Sequence, residues 1–136
     1  MRRLVPVLVL LSGCSFVEGD GPGYRGPDDY AYTLSVGCFC WFRSPLRITV
    51  EDGAVVDVEI VEPSDDASSD ADPIVAQWSL TLRELTALVR RAEREAAQAD
   101  VSYDAAYGFP TTAYIDWNRG IADDEVSYRV TDFEPR

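Results

Sequence analysis

Apolar and polar residues alternate along most of this chain. From Tyr30, the apolar positions Tyr30, Tyr32, Leu34 and Val36 are separated by Ala31, Thr33 and Ser35. A period of two marks a half-buried strand. Leu46, Ile48 and Val50 repeat the period against Arg47, Thr49 and Glu51, and Val56, Val58 and Ile60 repeat it against Asp57 and Glu59. Asp52-Gly53 lies between these two runs. Both residues tolerate the positive φ of a two-residue turn, so the runs are predicted to form a tight hairpin. Further along, Val101 and Tyr103 make a short strand, and Ala113, Ile115 and Trp117, then Val126, Tyr128 and Val130, alternate again.

The period changes at Thr81. Thr81-Leu82-Arg83-Glu84 has the spacing of a capping box, with Leu80 and Leu85 placed as a hydrophobic staple. Leu82, Leu85, Leu88, Val89, Ala92 and Ala96 then recur at helical spacing, with Arg83, Arg90, Glu93 and Arg94 on the other side. Such a helix covers one face of a sheet. The expected class is α+β: a single antiparallel sheet of about five to six strands, one helix packed on one face, in the order β-β-β-α-β-β-β. Pro63–Pro73, with four aspartates, is read as a solvated acidic loop.

The first residues, MRRLVPVLVLLSGCS, have the layout of a secretory signal: Arg2 and Arg3, then an apolar run, then small residues. The run is too short to span a bilayer, which needs about 20 residues. Leu11-Ser12-Gly13-Cys14 resembles the lipobox of bacterial lipoproteins. That resemblance implies that Cys14 becomes the first mature residue and carries the lipid, so the chain is anchored to a membrane and does not cross it. Ser15 is not the acidic residue of an inner-membrane retention signal. The expected address is therefore extracytoplasmic, on the outer membrane of a two-membrane cell or the outer leaflet of a one-membrane cell. The division is then 1–13 signal peptide, 14–29 lipidated cysteine with a Gly/Pro/acidic tether, and 30–136 one globular domain.

Charge narrows the partners. The chain carries 12 Arg, no Lys, no His and 24 acids, for a net charge of −12. Loss of residues 1–13 removes Arg2 and Arg3 and no acid, leaving −14. Such a surface repels nucleic acid and anionic headgroups. Without histidine, Ser–His and Cys–His dyads are excluded. No enzyme activity and no cofactor are expected. The expected role is binding or accessory, toward a protein or glycan. The alternatives are weak divalent-cation binding or thiol–disulfide chemistry.

Several ordered stretches carry a resemblance. They are Y-T-L-S-V-G-C-F-C, I-T-V-E-D-G-A-V-V-D-V, T-L-R-E-L, Y-D-A-A-Y-G-F-P-T-T-A-Y-I-D and D-D-E-V-S-Y-R-V, between Tyr30 and Phe133. Together they resemble a family of bacterial secreted lipoproteins classed as domain of unknown function number 6174. The family pattern C-x-C falls on Cys38 and Cys40, G-[YF]-P-T on Gly108 to Thr111, and I-D…D-D-E on Ile115, Asp116, Asp123, Asp124 and Glu125. The resemblance implies fold and address, not an activity.

Three groups of residues carry candidate chemistry. Outside the cytoplasm, with Cys14 lipidated, Cys38 and Cys40 remain as an even pair, and a disulfide is the first reading. A regular strand holds residues i and i+2 about 6.5–7 Å apart, whereas a disulfide wants Cβ atoms near about 3.8 Å. The bridge then needs a bend, which Gly37 can supply. Buried thiols on the core face, a redox pair and a metal site are the alternatives. The second group is an acidic loop of Asp116, Asn118, Asp123, Asp124 and Glu125, a weak candidate for calcium or a soluble hairpin loop. The third is a structural turn at Gly108 and Pro110, beside Tyr103, Tyr107, Phe109, Tyr114 and Trp117, which are either core or a ligand surface.

Overall fold

The computed structural model describes residues 23–40, 44–62 and 72–136. Six strands form one antiparallel sheet: β1 Tyr30–Cys38, β2 Leu46–Glu51, β3 Ala54–Ile60, β4 Gln98–Tyr103, β5 Pro110–Asp116 and β6 Glu125–Pro135. Their order across the sheet is β3-β2-β1-β6-β5-β4. The two longest strands, β1 and β6, therefore pair at the centre, and β3 and β4 are the edges. Helices α1 (Asp72–Trp78) and α2 (Leu82–Glu95) connect one edge to the other.

This corrects the expected α+β arrangement with a single helix. Two short helices follow β3, and most of the regular structure is strand. The missed helix opens on Asp72-Pro73, at the end of the stretch read as an acidic loop. Proline suits a first helical turn because its missing N–H would have no partner there. Residues 63–71 of that loop lie outside the described residues.

The core lies between the sheet and the helices. Tyr30, Tyr32, Leu34 and Val36 of β1, Leu46, Ile48 and Val50 of β2, and Ala113, Ile115 and Val130 pack with Trp78 of α1 and Leu82, Leu85, Val89 and Ala92 of α2. Each fully buried leucine contributes about 1.5–3 kcal/mol relative to exposure. Thr81 caps α2 through a complete capping box with Glu84. β1 also reaches the same terminus. The Tyr30 hydroxyl accepts from the Leu82 N–H at 2.8 Å, and the Tyr32 hydroxyl donates to the Leu80 carbonyl. The start of the helix is thus pinned to the central strand, and amides left over by helix geometry are satisfied. Burial raises the Tyr32 hydroxyl pKa first, followed by the nearby Tyr30 and Glu84.

Two irregularities shape the sheet. At Asp52-Gly53, φ values of 51° and 74° make the β2–β3 turn. Asp132 has φ 50°, and the β1–β6 register shifts between Ala31 and Thr33. This bulge reverses the parity of β6 so that Phe133 joins the core face. Its ring lies 5.6 Å from Tyr30, 5.2 Å from Tyr107 and 5.0 Å from Phe109. Arg47 clamps the bulge from the opposite face: Nη1 donates to the Asp132 carbonyl at 2.6 Å, and Nη2 pairs with Glu134 at 2.8 Å.

The N-terminal described segment belongs to this packing. Tyr24, which sequence placed in the tether, is only 8% exposed and lies against Tyr30. The Asp28 carbonyl accepts from Gly53 N–H at 3.0 Å, and Asp29 Oδ1 accepts from Asp52 N–H at 2.7 Å. The arm thereby holds the β2–β3 turn. Among the described residues, no helix is long and apolar enough to cross a membrane.

Candidate functional site

Both helices lie on one face, so the opposite face is uncovered. The pairing register places its side chains in rows. Ser35, Arg129, Thr112 and Ser102 form one row across β1, β6, β5 and β4. Gly37, Ser127, Tyr114 and Asp100 form the next. Between the rows runs a trough of about 880 Å³. Its small floor follows from sequence: glycine and serine at the β1–β6 crossing leave little side chain above the backbone. A side chain at Gly37 would push the Ser127 hydroxyl aside. Thr112 and Arg129 are exposed, and Tyr114 is exposed despite its size.

At one end of the trough, Cys38 and Cys40 are disulfide-bonded, with Cα atoms 5.2 Å apart. That separation is below the spacing of a regular strand, so β1 ends in a bend at the pair. Phe39, between the cysteines, is 78% exposed. Beside it lies a notch of about 270 Å³ bounded by Gly37, Phe39, Tyr114, Asp123, Glu125 and Ser127. Behind the disulfide is a separate recess of about 360 Å³, lined by Ile74, Trp78, Trp117, Val126 and Tyr128. It is mostly apolar, with Gln77 at its wall, and sits under α1.

The acidic loop is only partly brought together. Asp116 ends β5 and faces Glu125 across the ladder. Asn118 Oδ1 accepts from Gly120 N–H at 3.0 Å and so serves the turn. Asp123 has φ 74°, a conformation aspartate tolerates better than most residues. Asp116 also lies beside Asp124. Their Oδ1 atoms are shielded from water and receive no donor. Desolvation, and then the Asp116 carboxylate, raise the Asp124 pKa, while the Asn118 backbone N–H lowers it. A neighbouring carboxylate disfavours the charged form of Asp124. Among the described residues, no three Cys, Asp or Glu side chains form a metal cage. Tyr114 is also raised, first by desolvation and then by Glu125, Asp116, Asp100 and Asp124.

The other sequence candidates separate. Gly108 has φ 77°, and a Cβ there would lie 3.0 Å from the Gly23 carbonyl oxygen, so the turn and the N-terminal arm fit together. Pro110 opens β5, opposite Tyr103. Phe109 is buried, while Tyr103, Tyr107 and Trp117 are half-buried against the core. Only Tyr114 of the five aromatics faces the trough. Sequence reasoning missed Phe39, although its place between two cysteines marked it. It also missed the serines and threonines, whose alternation with core residues was visible but whose convergence depends on strand order. Cys14 lies outside the described residues.

The architecture is an open antiparallel sheet, covered by helices on one face and offering a polar trough on the other. The chain matches the model of the DUF6174 family, described as a family of unknown function, over residues 24–135, and it belongs to that family. No curated protein and no solved structure matches it.

Proposed function

We propose that this protein is an extracytoplasmic, lipid-anchored binding module without catalytic activity, and that the uncovered sheet face meets its partner. The carrying observation is the one-sided placement of α1 and α2, which leaves the trough between the Ser35–Ser102 and Gly37–Asp100 rows open. The lipobox at Leu11–Cys14 supports the anchor. The Cys38–Cys40 bridge supports an oxidising compartment. The lining supports binding: it offers the hydroxyls of Ser35, Ser102, Thr112 and Ser127, Tyr114, Arg129 and the carboxylates of Asp100 and Glu93, a polar set suited to contacts with a partner.

Two measurements test this. Intact mass of membrane-extracted full chain, with and without reduction before alkylation, reads the anchor and the bridge together. A photo-crosslinking residue at Thr112, on the trough, is compared in cells with one at Ala87, exposed on α2. A defined adduct from Thr112 alone supports the open face as the partner surface. Equal adducts from both positions, or none from Thr112, would sink it.

A further inference from the structure

The disulfide-bonded end of β1 presents an aromatic ring to solvent. Phe39 is 78% exposed, yet it is held between two cysteines bonded to each other. A fixed aromatic loses less conformational freedom on binding than a mobile one. At protein interfaces a few anchor residues seated in a pocket on the partner carry most of the binding energy. The rim around Phe39 has one sign. Residues 116–125 contain Asp116, Asp123, Asp124 and Glu125 against the single Arg119, and Asp123 and Glu125 line the notch beside Phe39. Carboxylates also surround Tyr114, on the far wall. Two aromatic faces and flanking carboxylates suit a cationic side chain, by cation–π attraction and by direct pairing.

We propose that the Phe39 notch is the anchoring point for a basic protein partner: Phe39 enters an apolar pocket on that partner, and a partner arginine or lysine enters the notch between Phe39 and Tyr114. Charge complementarity selects this occupant. A second copy of the chain would bring an equally acidic rim, and anionic headgroups would be repelled. The proposal rests on the binding-module reading. It can fail separately, because Thr112 probes the trough and Phe39 probes the notch.

The test uses the oxidised full chain and a short labelled peptide alternating arginine and leucine. Phe39→Ser, and the double variant Asp123→Asn with Glu125→Gln, should each weaken binding by about tenfold, the scale of an anchor residue at an interface. Asp57→Asn with Glu59→Gln on the distant edge strand β3 should leave it unchanged. Replacing leucine by glycine in the peptide should also weaken binding, and about 0.5 M salt should largely abolish it by screening. Phe39 is exposed, so an unchanged melting temperature establishes that the variant is folded. Equal weakening by the β3 variant would overturn the proposal in favour of general acidic attraction. No response to Phe39→Ser would also overturn it. So would Phe39-dependent binding to phosphatidylcholine vesicles without peptide binding, or a Phe39-dependent dimer in sedimentation.

Discussion

The two ends of the sheet are built differently. One end holds the β2–β3 turn, the residue 104–109 turn and the N-terminal arm. There the Asp104 carboxylate accepts from the Ala106 and Tyr107 amides, Arg25 N–H donates to the Tyr107 carbonyl at 2.8 Å, and the rings of Phe109 and Phe133 meet at a tilt on the core face. The other end carries the disulfide, the acidic loop, and exposed Phe39, Ile121 and Val61. At the first end the rings are packed away from water, whereas at the second Phe39 stands in water in front of the half-buried and buried rings of Trp117, Tyr128 and Trp78. The first end therefore encloses its rings, and the second presents one to solvent.

Substitutions sharpen that contrast. Phe109→Ala, at the closed end, should cost about 3–5 kcal/mol through lost burial and a cavity. Phe39→Ala, at the open end, should stay within about 0.5 kcal/mol, as exposed substitutions do. Chemical denaturation of both variants measures the difference, and similar costs would break the comparison. Arg47→Ala removes charge-assisted bonds to Asp132 and Glu134 at the bulge that steers Phe133 inward. It should destabilise by about 1–2 kcal/mol, reduced from the usual range because Glu134 is largely exposed. Replacing both Cys38 and Cys40 by serine should cost about 1–2 kcal/mol, because so small a ring removes little chain entropy. A larger loss would show that the bridge orders more than its own bend.

The smallest expected effect is a pH dependence at the open end. The folded-state Asp124 pKa is raised, so across its titration the native state binds more protons than the unfolded chain. Stability then falls as pH rises from near the ordinary aspartate value of about 3.9 through the raised one. Asp124→Asn should flatten that fall, which melting temperatures measured across the range will show. Unchanged pH dependence in the variant would remove Asp124 as its source.

Much of this contrast was hidden in the sequence, for identifiable reasons. Period-two alternation marked the strand cores around Leu34, Ile48, Val58, Ile115 and Tyr128, because a sheet with one buried face imposes it locally. The Thr81 capping box was legible for the same reason, since its bonds span only three residues. The pairing of β1 with β6 is long-range, and nothing near Val36 announces Tyr128. The Asp132 bulge breaks the alternation that exposed the other strands, so Phe133 could not be assigned a face. Tyr24 sat among glycines and prolines and looked like tether, but it packs on the Tyr30 ring, and Arg83, far along the chain, lies over the Tyr24 ring. The acidic loop suggested ligands by composition. Strand geometry then sent Glu125 and Asp123 toward the notch and left Asp116 with Asp124.

The antiparallel placement of β1 between β2 and β6 has a mechanical consequence. The chain enters β1 beside the C-terminus, where Arg136 N–H donates to the Asp29 carbonyl, and leaves it at the disulfide. Tension applied between the N-terminal arm and Phe39 therefore runs along the strand axis. Ladder bonds to both neighbours lie across that axis, so they share the load in shear and do not open one after another. Pulling the two termini apart would instead unzip β1 from β6 at a single bonded pair. The same sheet is thus stiff along the line from arm to tip and weak across its ends.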